Sequence, residues 1–174
     1  LVKEKLGYVP GNFVPCHPIA GSEKIGPRES ISTLFQAKPV AVVAHEGIRE
    51  NGLELVLEFW LKIGAKCVQV SADEHDKILA KTSHLPHLLA YAYMSLLSDS
   101  DKKMVGGGLE DFTRIAGANP DMWWEIFCLN RPDLLQTLDQ FSLVLEVLRA
   151  AVVEEDKSAA IKIMESAYYK RKNL

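Results

Sequence analysis

Hydrophobic positions in the first 72 residues fall in short runs typical of β-strands. The runs occupy residues 13–16, 39–44 and 66–70. Between the second and third runs, apolar residues recur at helical spacing from Gly47 to Lys62, and Gly64 follows at a position suited to a helix C-terminus. Strand, helix, strand is the repeat of an α/β sheet. One helix cannot cover both faces of such a sheet, so we expect residues 1–72 to be the C-terminal portion of a larger α/β domain.

From residue 73 onward the hydrophobic spacing becomes helical almost throughout. Asp73 is placed to cap a long helix from Glu74 to Leu97, which Pro86 should bend. Further helices are predicted after the glycines at 106–108, near Pro120, after Asn130 and after Asp156. The fold class predicted from this pattern is mainly α, with the last strands of an α/β domain followed by an all-helical domain at residues 73–174.

One of these predicted helices carries a heptad-like apolar seam. Its members are Leu134, Leu138, Phe141, Leu145, Leu148 and Val152, spaced alternately four and three residues apart. A seam of this kind packs either into the core of its own domain or against another subunit. The pattern favours the core, with a subunit interface as the alternative.

Composition narrows the class of protein further. The chain has 174 residues, and 20 Lys+Arg against 23 Asp+Glu give a formal charge of −3, which argues against a general nucleic-acid binder. No apolar run reaches the roughly 18 residues that cross a bilayer, so we expect no membrane contact. Three widely separated cysteines and the absence of a signal-peptide core at the start are typical of a reduced, cytoplasmic protein.

The most informative polar segment surrounds His17. Pro18 disfavours helical backbone at His17 and holds it extended at the end of a strand, while Gly21 permits a sharp turn toward Ser22 and Glu23. An imidazole on a stiff strand end suits a positioned acid or base; a structural histidine that caps the loop is the alternative. Cys16 should point to the opposite face, so a Cys16–His17 nucleophilic pair is not expected.

Two further histidines, His84 and His87, lie three residues apart on one side of the predicted long helix. They could donate hydrogen bonds to an anionic ligand, bind zinc, or serve only in packing. The chain has neither a His-Glu-x-x-His motif nor a pair of closely spaced cysteines, so we predict no metal.

A glycine-rich turn at 106–108 precedes Asp111 and Arg114, which lie on one face of the next predicted helix. Exposed backbone N–H groups at such a helix start can bind an anion, and an arginine nearby is a suitable receptor for a carboxylate. The alternative is a surface ion pair, which contributes less than about 1 kcal/mol. Trp123 and its neighbour Trp124 must face different directions, so one of them should be buried.

Three segments taken together resemble the prephenate/arogenate dehydrogenase family of tyrosine biosynthesis. They are His17-Pro18-Ile19-Ala20-Gly21-Ser22-Glu23, then Ser83-His84-Leu85-Pro86-His87, and finally Gly107-Gly108-x-x-Asp111-Phe112-Thr113-Arg114-Ile115-Ala116 with Pro120-x-Met122-Trp123. The segments occur in family order and at family-like spacing, and the resemblance covers essentially the whole chain.

The resemblance implies a two-domain enzyme. Residues 1–72 would be the C-terminal portion of a Rossmann domain that binds NAD or NADP, and residues 73–174 would be a helical domain for substrate binding and homodimerisation. The glycine fingerprint of the dinucleotide site is absent from the chain. We therefore expect the main cofactor-binding residues to lie outside it, and the chain alone to be inactive.

The resemblance also implies roles for individual residues. His17 would be the catalytic histidine, accepting a hydrogen bond from the ring 4-hydroxyl of prephenate or arogenate while hydride leaves that carbon for the nicotinamide. Loss of CO2 then makes the ring aromatic. Arg114 would bind a substrate carboxylate. The remaining predicted substrate-site residues are His84, His87, Ser22 and Trp123, together with Glu23 and Asp111, which would form an ionic gate with Arg114.

Two other classes of protein remain as alternatives. The chain could be a non-catalytic helical dimerisation module, since it lacks a complete site for a hydride acceptor. It could also be a metal hydrolase that uses His84 and His87.

Overall fold

The structure is a computed structural model, and it describes residues 2–21 and 26–174. Its first elements are α1 (Val2–Leu6), β1 (Cys16–Pro18), β2 (Pro39–Val43), α2 (Glu50–Lys62) and β3 (Lys66–Val70). The helices that follow are α3 (Ala72–Leu79), α4 (Leu85–Met94), α5 (Gly107–Thr113), α6 (Pro120–Leu129), α7 (Arg131–Val153) and α8 (Lys157–Lys172). The predicted mainly α class is therefore confirmed.

The three strands form one sheet in the order β1-β2-β3, with β1 antiparallel to β2 and β2 parallel to β3. The predicted β2–α2–β3 unit is thus confirmed. Val40 and Val42 are fully buried between the sheet and α2, where Leu53, Leu57 and Trp60 pack against them. The opposite face carries the aligned residues His17, Ala41 and Val68, and this face is turned toward α3.

The first predicted strand, at residues 13–16, is wrong in its position. Phe13 lies in a turn in which its N–H donates to the carbonyl of Pro10 at 3.0 Å. Pairing with β2 starts only when the carbonyl of Pro15 accepts from the N–H of Val43 at 2.9 Å. The strand proper is Cys16–Pro18, so His17 is its central residue and does not lie beyond its end.

The predicted cap of the first long helix is also wrong: Ser71, and not Asp73, caps α3. The Ser71 hydroxyl accepts from the N–H of Glu74 at 3.1 Å, and the Glu74 carboxylate accepts from the N–H of Ser71 at 2.9 Å. These reciprocal bonds form a capping box. Because β3 ends at Val70, the box makes α3 begin directly at the edge of the sheet.

The single helix predicted from Glu74 to Leu97 is divided by a π-helical turn at Ala80–His84. Pro86 has no N–H to donate to the carbonyl of Thr82, as predicted, but the irregularity precedes the proline. The N–H of Leu85 donates to the carbonyl of Ala80, five residues back. The wider turn accommodates an extra residue and changes which side chains share a face, so α4 restarts with Pro86 in its first turn.

The starts of the last three helices are confirmed. Asn119 caps α6 by accepting from two backbone N–H groups, Asn130 precedes α7, and Asp156 caps α8 by accepting from the N–H of Ala159. Helix α8 packs against α7 after a tight turn in which Glu155 has a positive φ of 52°.

The heptad-like seam on α7 is only partly a core feature. Leu134 is 4% exposed, and Leu138, Phe141 and Leu148 are half-buried. Leu145 is 52% exposed and Val152 is 74% exposed. The prediction of a core helix therefore holds for the N-terminal part of α7, whereas the C-terminal part of the seam is uncovered in this chain.

The fold predicts unequal costs for two valine substitutions in the sheet. Val42→Ala removes two buried methyl groups and should lower the free energy of unfolding by about 2 kcal/mol. Val68→Ala, at a residue that is 49% exposed, should lower the free energy of unfolding by less than about 1 kcal/mol. Chemical denaturation of both variants measures the difference, and equal costs would contradict the assigned faces of the sheet.

Candidate functional site

His17 lies on the face of the sheet that is turned toward α3. Its Nδ1 is 3.0 Å from Nε2 of His75, and the two ring centroids are 5.2 Å apart. Cys16, the preceding residue, packs on the other face against the core of Val40 and Val42. The predicted divergence of Cys16 and His17 is thus seen in the structure, and His17 is paired with another imidazole.

His75 is a residue of the site that the sequence analysis missed. It lies in the first turns of α3, and its Nδ1 is 2.8 Å from the carboxylate Oδ1 of Asp76. The side chain of His75 is 19% exposed and that of Asp76 is 52% exposed. A His-Asp pair just after a capping box at the end of a strand is the sequence signal that could have identified it.

The environment of His17 favours its neutral form. Partial burial, together with the neighbouring His75, lowers the pKa of the His17 imidazole below its ordinary value of 6.5. The pKa of an unperturbed histidine therefore does not apply to this ring. A neutral imidazole has one nitrogen lone pair free to accept a proton.

His84 is buried and faces a polar side chain at the start of α7. The amide Nδ2 of Asn130 is 3.0 Å from Nδ1 of His84 and donates to the carbonyl of Asp76 at 2.8 Å. Because an amide nitrogen carries two hydrogens, it can donate to both acceptors. Burial is the largest cause that lowers the pKa of His84. Nδ1 of His84 therefore ties the π turn to the start of α7, while the carbonyl of Asp76 ties α3 to the same amide.

His87 stacks on the indole of Trp123, with ring centroids 3.5 Å apart and planes inclined by 18°. Its Nδ1 lies 2.8 Å from the carbonyl of Ser83, so Nδ1 must carry the proton and donate, and the lone pair of the neutral ring is on Nε2. Burial is the main cause that lowers the pKa of His87, and the charge of Arg114 lowers it further. Arg114 is thus close enough to act on this ring.

Trp123 is 7% exposed, whereas Trp124 is 68% exposed, so the predicted split between the two indoles is confirmed. Among the residues that the structure describes, the Nε1–H of Trp123 has no hydrogen-bond partner. A buried donor without an acceptor is costly. This N–H is therefore a candidate group for ligand binding.

Arg114 lies where α5 ends and a 3₁₀ turn, Arg114–Gly117, begins. The segment after this turn is fixed by the hydroxyl of Tyr91, which donates to the carbonyl of Ala118 at 2.8 Å. Arg114 and Asp111 are both exposed. Ser22 and Glu23 lie outside the described residues, so the ionic gate of Glu23, Asp111 and Arg114 stays a prediction.

His17, His75, His84 and His87 form one cluster. The charges of His17, His75 and His87 all affect the pKa of His84, and the ring centroids of His84 and Trp123 are 6.2 Å apart. Beside this cluster, a largely apolar cleft of about 240 Å³ separates the sheet face from α3; it is lined by Ile19, Pro39, Ala41, Val68, Val70, His75, Ile78, Leu79 and Thr82. A second, polar depression between α3 and α7 contains none of the predicted site residues.

In residues 2–21 and 26–174, no three side chains of histidine, cysteine, aspartate or glutamate are grouped so that they could hold a metal ion. The Nδ1 atoms of His84 and His87, the pair considered for zinc, both face protein groups, Asn130 for His84 and Ser83 for His87. In the same part of the chain, no helix is long and apolar enough to span a membrane.

Comparison with known proteins assigns the family. The family model described as "Prephenate dehydrogenase, nucleotide-binding domain" matches residues 2–69, and that described as "Prephenate dehydrogenase, dimerization domain" matches residues 71–166. The chain therefore belongs to the prephenate dehydrogenase family. This membership favours a dehydrogenase over the metal-hydrolase alternative.

Individual relatives agree with the family assignment. A cyclohexadienyl dehydrogenase of Zymomonas mobilis is 36% identical over 151 residues, which are 83% of this chain and 52% of that protein. A prephenate dehydrogenase of Bacillus subtilis is 27% identical over 161 residues, covering 89% of this chain and 43% of that protein. The chain spans about half the length of these curated relatives.

A solved structure is also similar. The crystal structure of prephenate dehydrogenase from Aquifex aeolicus, in complex with hydroxyphenyl propionate and NAD+, aligns with a TM-score of 0.88 and 31% sequence identity. The alignment covers 99% of this chain and 61% of that one. The arrangement of sheet and helices described above is thus the arrangement of a solved family member.

Proposed function

We propose that this chain provides the substrate side of an NAD(P)-dependent dehydrogenase that oxidatively decarboxylates prephenate or arogenate. The observation that carries the proposal is the imidazole cluster at the junction of sheet and helices, in which Nδ1 of His17 is paired with His75 and a lowered pKa favours the neutral form of His17. Family membership and the similarity to a relative solved with hydroxyphenyl propionate and NAD+ support it. The division into a nucleotide-binding portion at 1–72 and a helical domain at 73–174 is part of this proposal.

His17 is the proposed proton acceptor. It accepts the hydrogen bond of the ring 4-hydroxyl and takes that proton as the C4–H bond breaks and the carbonyl forms. NAD(P)+, when bound by the nucleotide-binding domain, accepts the hydride. The new ketone withdraws electrons from the ring, so the ring carboxylate leaves as CO2 and the carbonyl oxygen recovers a proton as the ring becomes a phenol. A positioned base of this kind contributes roughly 10²–10⁴-fold to the rate.

Arg114 and Trp123 are the groups that we propose for holding a substrate carboxylate. The guanidinium supplies charge and paired N–H donors, and the buried Nε1–H of Trp123 supplies a donor that lacks a protein partner among the described residues. His87 in its neutral form offers only an acceptor at Nε2, because Nδ1–H faces Ser83. Its proposed part is therefore to orient Trp123 by stacking and to accept from a substrate hydroxyl.

His84, Ser22, Glu23 and Asp111 complete the proposed substrate site. The Nδ1 of His84 is engaged with Asn130, so any direct contact with substrate would be through Nε2. The net charge of the chain is −3, and prephenate and arogenate each carry two carboxylates. Its capture therefore depends on local donors such as Arg114 and not on long-range attraction.

We also propose that the protein is a homodimer through its helical domain. Leu145 and Val152, the uncovered part of the α7 seam, are exposed, as are their chain neighbours Val144 and Val153. Exposed apolar side chains grouped on one helix are typical of an interaction site. The matching family model is named for dimerisation. The proposed compartment is the cytoplasm, supported by the free thiols of Cys16, Cys67 and Cys128.

The proposed roles of His17 and Arg114 predict different kinetic defects in the full-length protein. His17→Asn keeps the size and some hydrogen bonding but cannot accept the proton, so kcat should fall by about 10² or more with KM little changed. Arg114→Ala should mainly raise KM, because the loss of charge-assisted hydrogen bonds weakens substrate binding by about 1.5–3 kcal/mol. Steady-state rates with prephenate and with arogenate measure both effects.

Arg114→Lys is the matched control for charge. It should restore only part of the lost affinity, because an ammonium cannot reproduce the bidentate geometry of guanidinium. If Arg114→Ala left KM unchanged and lowered kcat as much as His17→Asn, the assigned roles would be wrong.

The lowered pKa of His17 predicts the pH dependence of kcat/KM. The base is active when neutral and inactive when protonated, so activity rises with pH. Because the folded-state pKa lies below 6.5, the midpoint of the acid limb should also lie below 6.5, and activity should persist to lower pH than for an unperturbed histidine. A midpoint above 6.5 would contradict the environment described for this ring.

The dimer proposal predicts that Leu145→Glu together with Val152→Glu yields a monomer. Light scattering at tens of micromolar should report twice the chain mass for the unsubstituted protein and a single chain mass for the double variant. Leu55→Glu, at an exposed position on α2, is the control and should remain dimeric. A monomeric unsubstituted protein would refute the proposal.

A further inference from the structure

We propose that His75, oriented by Asp76, is a positioning residue that fixes His17 in the tautomer with its proton on Nδ1 and its free lone pair on Nε2. The inference rests on the proposed function only in that His17 is the proton acceptor. It assigns the nitrogen that reacts, and it extends the site to two residues on α3.

The carboxylate of Asp76 determines which nitrogen of His75 carries the proton. An ionised carboxylate only accepts hydrogen bonds, and its Oδ1 is 2.8 Å from Nδ1 of His75. Nδ1 of His75 must therefore carry a hydrogen and donate it. In neutral His75 the other nitrogen, Nε2, is then left with a lone pair.

The contact between the two imidazoles then determines which nitrogen of His17 carries the proton. Nε2 of His75 faces Nδ1 of His17 at 3.0 Å, and one hydrogen must lie between them for the contact to be favourable. Since Nε2 of His75 is the acceptor, that hydrogen belongs to Nδ1 of His17. The lone pair of neutral His17 is consequently on Nε2, for which no hydrogen-bond partner is seen among the residues that the structure describes.

The same hydrogen bond acts again when His17 takes the proton of the substrate hydroxyl. The proton adds to Nε2, and the positive charge of the imidazolium is shared with Nδ1–H, whose bond to His75 becomes charge-assisted. No proton moves to His75. Besides His75 and Asp76 on α3, His84 at the end of the π turn is a titratable group that interacts electrostatically with His17.

The fold holds Asp76 in place from its other side. The backbone carbonyl of Asp76 accepts from Nδ2 of Asn130, at the start of α7. The capping box of Ser71 and Glu74 fixes the first turn of α3 just before His75. The orientation of His75 is therefore supported by bonds that do not involve His17.

Two substitutions of His75 in the full-length protein separate positioning from packing. His75→Gln can still present an amide oxygen to Nδ1–H of His17 and should keep kcat within about tenfold. His75→Phe preserves an aromatic ring but removes the acceptor, and kcat should fall by about 10² with KM little changed. Equal activity of the Gln and Phe variants would overturn the proposal.

Asp76→Ala tests whether the Asp76 carboxylate orients His75, and Asp73→Ala is the matched control. Both carboxylates are exposed residues of α3, but Asp73 pairs with Lys77 instead of a histidine. We expect kcat to fall by about three- to tenfold for Asp76→Ala and to be unchanged for Asp73→Ala. Equal effects of the two substitutions on kcat would contradict a specific role for Asp76.

The tautomers are measured directly by nitrogen NMR of this chain labelled with ¹⁵N-histidine at neutral pH. We expect neutral His17 and neutral His75 each to carry the proton on Nδ1, and His17 to lose this preference in His75→Phe. A proton on Nε2 of His17 in the unsubstituted chain would overturn the inference. If the NMR result is as expected but the full-length protein has no dehydrogenase activity, the proposed function fails while the tautomer assignment stands.

Discussion

The hydrogen bond between His17 and His75 is the interaction on which the site depends, because it joins the sheet to the helical part of the chain. The two residues are 58 positions apart in sequence, and their ring nitrogens are 3.0 Å apart. His17 is held in position by the pairing of β1 with β2. His75 is held in position because α3 begins directly at the end of β3. A change that displaces either element would separate the pair.

A second set of contacts attaches the remaining helices to this pair. Asn130 bonds both His84 and the backbone of Asp76, so the start of α7 is tied to the π turn and to α3. His87 then stacks on Trp123 of α6, and the charge of Arg114 reaches His87. The proposed proton acceptor and the proposed carboxylate site thus both adjoin the histidine cluster that contains buried His84. In the proposed function, this linkage fixes the distance between the proton acceptor and the carboxylate site, as orientation of a reacting molecule requires.

The parts of this arrangement that follow local rules were predictable from the sequence. Pro18 restricts the backbone of His17, proline in the first turns marks the starts of α6 and α7, and adjacent indoles must diverge. The cap at Ser71 was also predictable, since Ser71 and Glu74 have capping-box spacing. The sequence analysis instead assigns the cap to Asp73. The partners of His17 and His84 were not predictable in this way, because the contacts of His75 and Asn130 depend on how β1, α3 and α7 pack. The π turn likewise results from tertiary packing around a proline.

The account is tested most directly by the stoichiometry of the reaction of the full-length protein. Prephenate and arogenate are each supplied with NAD+ or NADP+, and reduced nucleotide, CO2 and phenolic product are measured together. The account predicts one equivalent of each for every substrate molecule consumed. Decarboxylation without nucleotide reduction, or no turnover of either substrate by a folded protein, would contradict it.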